Sequence, residues 1–175
     1  MTIKLLTPIH IGNLEIRNRV VSTAHSAFLD FFRPGCDGER YMAYQERRAE
    51  GGTGLIIMTA MHVHPTSQIP NHFMYDPDDM APKFRKISQR VHAHGTKIIS
   101  QLFHFGMQGK SESRDDYAPI WGFSPTITQA GEAVHEMTDQ EVEEIIDAFA
   151  KAAKCAVSNG IDGVELHGTH GYLIQ

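Results

Sequence analysis

Cysteine is scarce in this sequence: Cys36 and Cys155 are the only two, far apart and at no metal-ligand spacing. That excludes a disulfide-stapled secreted scaffold and a zinc-finger type of site, and the pair reads as reduced thiols of a cytoplasmic protein. No apolar run approaches the roughly 18 residues that a membrane span needs, and the amino terminus lacks the apolar segment of a signal peptide, so no membrane partner is expected. A basic excess is also missing. The formal net charge is -5, with Lys and Arg scattered rather than striped, which argues against nucleic acid as a partner. Nothing in the composition suggests disorder: 175 residues, 41% hydrophobic and 21% charged, suit one globular domain with a sizeable core.

What is present is a repeated pattern. Pro8 to Ile16 holds two alternating runs around Gly12-Asn13, the signal of a short hairpin, expected to lie as a lid over one end of the core. Val20 to Ala24 is small and β-rich and reads as a first parallel strand, followed by His25-Ser26. Phe28 to Gly38, with Pro34, Gly35 and Gly38, is expected to be loop. Glu39 to Glu50 then carries Tyr41, Met42, Tyr44 and Ala49 at helical spacing and stops at Gly51-Gly52. Leu55 to Thr59 is a continuous apolar run, as expected of a strand covered on both faces, and ends in Ala60-Met61-His62-Val63-His64-Pro65. A polar loop with Pro70, Pro77, Asp78 and Asp79 leads to a helix over about Met80 to His94, closed by Gly95. Lys97 to Leu102 is the third strand, and Met107 to Glu136 is a loop too long for a mere connector, so it is expected to be built over a site. Thr138 and Glu141 form a capping box that opens a helix with an apolar stripe from Val142 to Ala156, ending at Asn159-Gly160. The last strand runs into His167, with Val164 and Leu166 on one face and Glu165 and His167 on the other, and Gly168 ends it.

Strand alternating with helix, each helix long enough to return the chain to the same end, implies an α/β fold with right-handed crossovers and a parallel sheet. Loops are long on one rim and tight on the other, as in a barrel with its site on top. Four such units are half of eight. A free-standing four-strand sheet would leave two unpaired edges and an uncovered inner face, so either the remainder of a barrel or a homo-oligomer is the expected partner.

The strand ends meet on the long-loop rim: Ala24-His25-Ser26, Thr59-Ala60-Met61, Gln101 with His104, and His167 with His170. His167 and His170 stand three apart across a turn, so both imidazoles can aim at one acceptor atom, and Tyr172 adds a phenol beside them. A single histidine at a strand end is commonly a packed or solvated side chain; two histidines and a tyrosine together favour a site that polarises a carbonyl and delivers a proton. Gln101 offers both a donor and an acceptor, although from spacing alone a strand-end amide equally well caps loose backbone groups.

These residues carry a resemblance. Pro8 to Arg19, Gly54 to Ile57, Gln101 to Gly106 and His167 to Leu173 resemble, in order and spacing, the landmarks of the Old Yellow Enzyme family of flavin-dependent oxidoreductases. The resemblance covers nearly the whole chain. It implies a parallel (β/α)8 TIM barrel, of which residues 1–175 hold the N-terminal hairpin and about the first four strands of a single FMN-binding domain. It also implies NAD(P)H-driven reduction of an activated C=C bond in an enone or enoyl thioester, or oxidation of an N-methylated amine, with NADH or NADPH as reductant and a small molecule as substrate. Ser22, Thr23, Ala24, His25, Ser26, Ala60 and Gln101 match flavin contacts. His167 and His170 match the pair that binds the substrate carbonyl, and Tyr172 matches the proton donor. His25 before Ser26 is more similar to the branch of 2,4-dienoyl-CoA reductase and trimethylamine dehydrogenase, whose iron-sulfur cluster and FAD would lie in C-terminal regions beyond Gln175. Ser26 excludes a thioether to flavin at a position where the trimethylamine enzyme uses Cys, and Met107 stands where several relatives have Arg.

The family's flavin-phosphate loops lie near strands seven and eight, so this chain alone is expected to bind FMN weakly or not at all and to be inactive. Two other readings rest on different features. A metal-dependent hydrolase would draw on His62, His64, His104, His167 and His170 among the eleven histidines. A half-barrel that self-associates without chemistry would be colourless and metal-free.

Overall fold

The computed structural model describes residues 3–29, 31, 33, 35–67, 76–114 and 116–175. The loop positions Pro34 and Pro70 lie outside the described residues. Two short strands open the fold, β1 (Ile9–Ile11) and β2 (Leu14–Ile16), paired antiparallel with Ile9 opposite Ile16. Gly12 makes the turn at φ +57, which costs glycine nothing.

The hairpin is the expected lid. Ile16, only 1% exposed, joins Leu55 and Ile57 in a cluster that Ile9, Leu14, Ala24 and Ile99 flank. The inner face of the sheet is therefore closed at its lower end by the chain's own first residues, and the expected bare inner face is corrected there. Exposed apolar side chains remain near the hairpin and first strand, at Ile11 and Val21, and on the outer side of the last strand and helix, where Ile146, Leu166 and Ile174 are about half exposed. Leu166, expected to be buried on the Val164 face, is 56% exposed, because among the described residues no element covers that face at its position.

Four parallel strands follow one another in the sheet in chain order: β3 (Val21–Ser22), β4 (Leu55–Ile57), β6 (Lys97–Phe103) and β9 (Gly163–Leu166). A further short strand, β5 (Met61–His62), continues the line of β4 along β6. Ile57 faces Ile99 and Met61 faces Leu102, so four steps on one strand meet three on the other. Met58 to Ala60 thus form a bulge at the upper rim, a device that re-aims side chains near sites.

Three helices cover the outer face: α1 (Glu39–Glu50), α2 (Pro77–His92) and α3 (Asp139–Ser158). Their apolar stripes supply Tyr41, Met42, Met80, Phe84, Ile87, Val91, Ala152 and Ala156, which pack on Ile56, Met58, Ile98 and Leu102 of the strands. Helix α2 begins earlier than the expected Met80. Asp76 caps it, its carboxylate accepting from the Asp78 amide, and Pro77 occupies the first turn, where its missing N–H is no loss. The capping box of α3 is present, with Thr138 and Glu141 bonded reciprocally.

The stretch 107–136 is not bare loop. Its ends form a small parallel sheet of β7 (Ile120–Gly122) and β8 (Val134–Glu136), with Ile120 and Val134 buried and an isolated bridge from Ile127 to Ala133. Three-residue strands twelve residues apart give too short an alternation to be seen in sequence.

At the lower rim Arg17 acts as a clamp. Its guanidinium donates to the carbonyls of His94 (2.6 Å), Ala49 (3.2 Å) and Thr53 (3.2 Å) and to Thr96 Oγ1 (3.2 Å). A cation thus sits on the carbonyls that end α1 and follow α2, where the helix dipoles favour it. Asn18 adds a bond from Nδ2 to Gly52 O at 2.8 Å, and Gly54 passes so close that a Cβ there would lie 2.5 Å from Asn18 Oδ1. Replacing Arg17 with Met is expected to destabilise the fold by about 2–4 kcal/mol, since carbonyls in a part-buried setting lose a charged donor. Denaturant unfolding checks this; a loss below about 0.5 kcal/mol would mean that water replaces the guanidinium.

Candidate active site

The upper rim encloses a cleft of about 340 Å3 lined by Ala24, His25, Ser26, Phe28, Ala60, His62, Gln101, Phe103, Phe105, His167, His170 and Tyr172. Eight of the ten residues expected from sequence line it; Ser22 and Thr23 do not, lying lower on the first strand. Strand alternation explains the set: Gln101 and Phe103 share the inner face of β6, and Glu165 with His167 faces them from β9.

His167 is 9% exposed, and its Nε2 lies 3.2 Å from His170 Nδ1, a contact that holds one hydrogen between two rings. His167 Nδ1 is buried and has no hydrogen-bond partner among the described residues. His170 sits in the left-handed region at φ +65, followed by Gly171 at φ +68, a tight turn that brings Tyr172 back over the strand end. The Tyr172 ring lies tilted against His167 at 4.8 Å and Phe103 at 5.5 Å and meets Phe105 edge to face at 5.1 Å. Gly106 locks this turn in place. At φ +56, it has Leu173 Cα 2.9 Å from where a Cβ would be, and the Leu173 amide donates to His104 O at 3.0 Å.

His25 is oriented by two bonds, Nδ1 to Thr23 O at 2.8 Å and Nε2 to Tyr44 Oη at 2.6 Å. A carbonyl only accepts, so Nδ1 carries the proton and Nε2 accepts from the phenol. Thr59 Oγ1 donates to His25 O at 2.5 Å and ties the first rim segment to the bulge. Gln101 donates from Nε2 to Glu165 Oε1 at 2.6 Å on the floor of the cleft.

The histidines invoked for a metal do not converge. His62 Nδ1 bonds Ser67 Oγ at 2.9 Å, whereas His64 turns to Thr66 Oγ1 at 2.8 Å and to Glu144 at 3.0 Å. His104 is held between the Gly106 amide at 3.0 Å and Thr66 Oγ1 at 2.8 Å. Among the described residues no group of three His, Cys, Asp or Glu side chains is placed to hold a metal ion. His62 and His104 are both 1% exposed, and burial pushes each imidazole down to about 3, so both are neutral structural members of the rim.

Sequence reasoning missed Phe28, Phe103 and Phe105 as lining residues and offered His62 only as a metal ligand. The alternation that places Gln101 inward also places Phe103 inward, and that signal was available.

A parallel sheet in chain order with helices outside and chemistry at the carboxyl ends of the strands defines part of a (β/α)8 barrel. The chain matches the NADH:flavin oxidoreductase / NADH oxidase family over residues 4–175 and belongs to that family, which includes Old Yellow Enzyme. It is 35% identical over 98% of its length to N,N-dimethylglycine/sarcosine dehydrogenase of Chromohalobacter salexigens, of which the match covers 25%. It is 34% identical over its full length to NADPH dehydrogenase of Bacillus velezensis, covering 51% of that protein. The crystal structure of TcOYE with pHBA superposes with a TM-score of 0.79 at 31% identity, covering 98% of this chain and 53% of that one. The chain thus spans between a quarter and about half of the length of these relatives.

Proposed function

We propose that residues 1–175 supply the first half of the rim of a single FMN-binding barrel domain that runs NAD(P)H-dependent redox chemistry on a small molecule. The observation that carries this reading is the convergence of His167, His170, Tyr172, Gln101 and the small residues Ala24 and Ala60 on one cleft. The fit to a flavin is chemical. The rim approaches the cleft through small side chains, the floor offers an amide, and His167 keeps an unpartnered buried nitrogen. Ala24, His25, Ser26, Ala60 and Gln101 would hold the ring system, which when bound supplies the hydride or accepts one.

The chain's own residues do the rest. His167 and His170 already approach to 3.2 Å, so a carbonyl oxygen taking the place of that contact would meet one imidazole donor at once, and a second when the accepting ring moves its proton to the nitrogen that faces it, as negative charge grows on the oxygen. Tyr172, packed against His167, would give a proton to the carbon next to the reduced one. Phe103 and Phe105 exclude water from one side. The name of the Chromohalobacter relative favours oxidation of an N-methylated amine as the second reading. In that direction no carbon is protonated and Tyr172 has no acid to supply.

The two directions separate in one assay. The complete barrel domain, loaded with FMN, is reduced with NADH or NADPH and mixed with an enone or an enoyl thioester, or, oxidised, with sarcosine. Return of the flavin's visible absorption with the unsaturated carbonyl supports reduction; bleaching with sarcosine supports amine oxidation. No response to either class overturns the reading.

A further inference from the structure

The floor of the cleft holds a polar pair whose polarity is fixed by chemistry. Gln101 and Glu165 are register partners on β6 and β9, and Gln101 Nε2 lies 2.6 Å from Glu165 Oε1. An ionised carboxylate accepts hydrogen bonds and gives none, so it selects the NH2 end of the amide and turns the carbonyl end away from itself. Gln101 lines the cleft. Below the pair, Ile99 faces Gly163, so neither neighbour on that inner layer offers a polar side chain to compete.

We propose that Glu165 is a positioning residue that fixes the Gln101 amide so that Oε1, an acceptor, faces the cleft. Without the carboxylate the amide turns freely and offers a donor or an acceptor alike. With it, the floor of the site asks for an N–H. On the flavin reading above, on which this inference rests, that N–H is the imide of the pyrimidine edge rather than either flanking carbonyl. Glu165 itself touches no substrate and acts through Gln101.

Two measurements test this, one of them independent of any flavin. In the protein labelled with 15N, the Gln101 side-chain NH2 is expected to show two well-separated proton shifts, because one hydrogen is held by the carboxylate. Glu165→Ala collapses that separation toward the value of a free amide. Glu165→Gln, whose carbonyl still accepts, retains most of it. Free-amide shifts in the wild-type protein would overturn the proposal, as would no change in Glu165→Ala. Circular dichroism and thermal unfolding confirm that each variant folds, and Glu165→Gln serves as the folded comparison if Glu165→Ala does not.

The second measurement, made on the complete barrel domain that carries the flavin-phosphate loops, is the dissociation constant of FMN against N3-methyl FMN, by flavin fluorescence. The wild type is expected to prefer FMN by about ten- to a hundredfold, the worth of one well-made hydrogen bond in a desolvated site. In Glu165→Ala the preference falls to within about threefold, and in Glu165→Gln it is intermediate. A wild type that binds flavin with a preference unchanged by Glu165→Ala sinks this inference and leaves the flavin reading standing. A wild type that binds neither flavin sinks both.

Discussion

Acidification from about pH 8 to pH 5 is expected to destabilise the fold by about 4 kcal/mol, roughly 2 kcal/mol for each of two buried histidines. His62 and His104 take up a proton only near pH 3 in the folded state, against 6.5 for a free imidazole. Between those values the unfolded chain holds more protons, so the stability present above about pH 6.5 is lost as the pH falls toward 3. Burial is the main cause for both, and the geometry shows why His104 resists. Its Nδ1 accepts the Gly106 amide while Nε2 donates to Thr66 Oγ1, so a second proton has no lone pair to bind unless the Gly106 bond breaks. That bond belongs to the turn that holds Leu173 and Tyr172, so acid is expected to loosen the candidate site as it unfolds the protein.

The check is the free energy of unfolding in urea at several pH values from about 8 to 5. This window lies above the range in which Asp116, Glu39, Glu132 and Glu141, all held below the usual carboxylate range by hydrogen bonds, begin to contribute in the same direction. His104→Asn, whose carboxamide oxygen can still accept from Gly106, should remove about half of the slope. A flat profile would mean that both imidazoles are reached by water. Against a total stability of about 5–15 kcal/mol for a domain, the predicted loss is large.

On the proposed function, removing the imidazole at His167 is expected to lower the turnover of a carbonyl-activated alkene by the complete, FMN-loaded barrel domain about 10²–10³-fold, the typical cost of one donor at a developing oxyanion. His167 is the buried member of the pair, with Phe103 and Tyr172 packed beside it, so on that reading its donor would work in a water-poor setting. His170 is exposed and stands at positive φ, so its loss should cost less, and His170→Asn should cost less than His170→Ala because Asn tolerates that conformation and can still donate. Tyr172→Phe is expected to slow alkene reduction by about 10²–10⁴-fold by removing the acid while keeping the ring. The same change should leave oxidation of an N-methylated amine within a few-fold of wild type, since that direction protonates no carbon. Steady-state kcat and KM on both substrate classes decide it. An equal loss on both would make Tyr172 a structural ring rather than an acid.

The sequence shows periodic features well and close approaches poorly. The hairpin, the three helices and the parallel strands are legible because apolar residues recur at periods of 2 or 3.6 and stop at Gly, and most of the rim residues follow from where those strands end. The bulge at Met58 to Ala60 is not legible, because it exists only as a mismatch of register between Ile57 and Met61 on one strand and Ile99 and Leu102 on another. Arg17 carries no motif, since three of its four partners are backbone groups. The divergence of His62 and His64 was hidden for a related reason: side-chain spacing along the chain says nothing of Ser67, Thr66 and Glu144, which pull the two rings apart. Glu165 was visible as an inward residue, but its partner lies 64 positions away.

The contact between Gly106 and Leu173 has a consequence for engineering. Two segments separated by more than sixty residues in the chain meet with no space for even a methyl group between them, so they behave as one mechanical part. A chimera that takes the strand-three loop from one relative and the terminal turn from another would set two independently shaped surfaces against each other at a point where only a glycine leaves room. Recombination should therefore treat Gln101 to Gly106 and His167 to Leu173 as a single cassette, exchanged together or left alone.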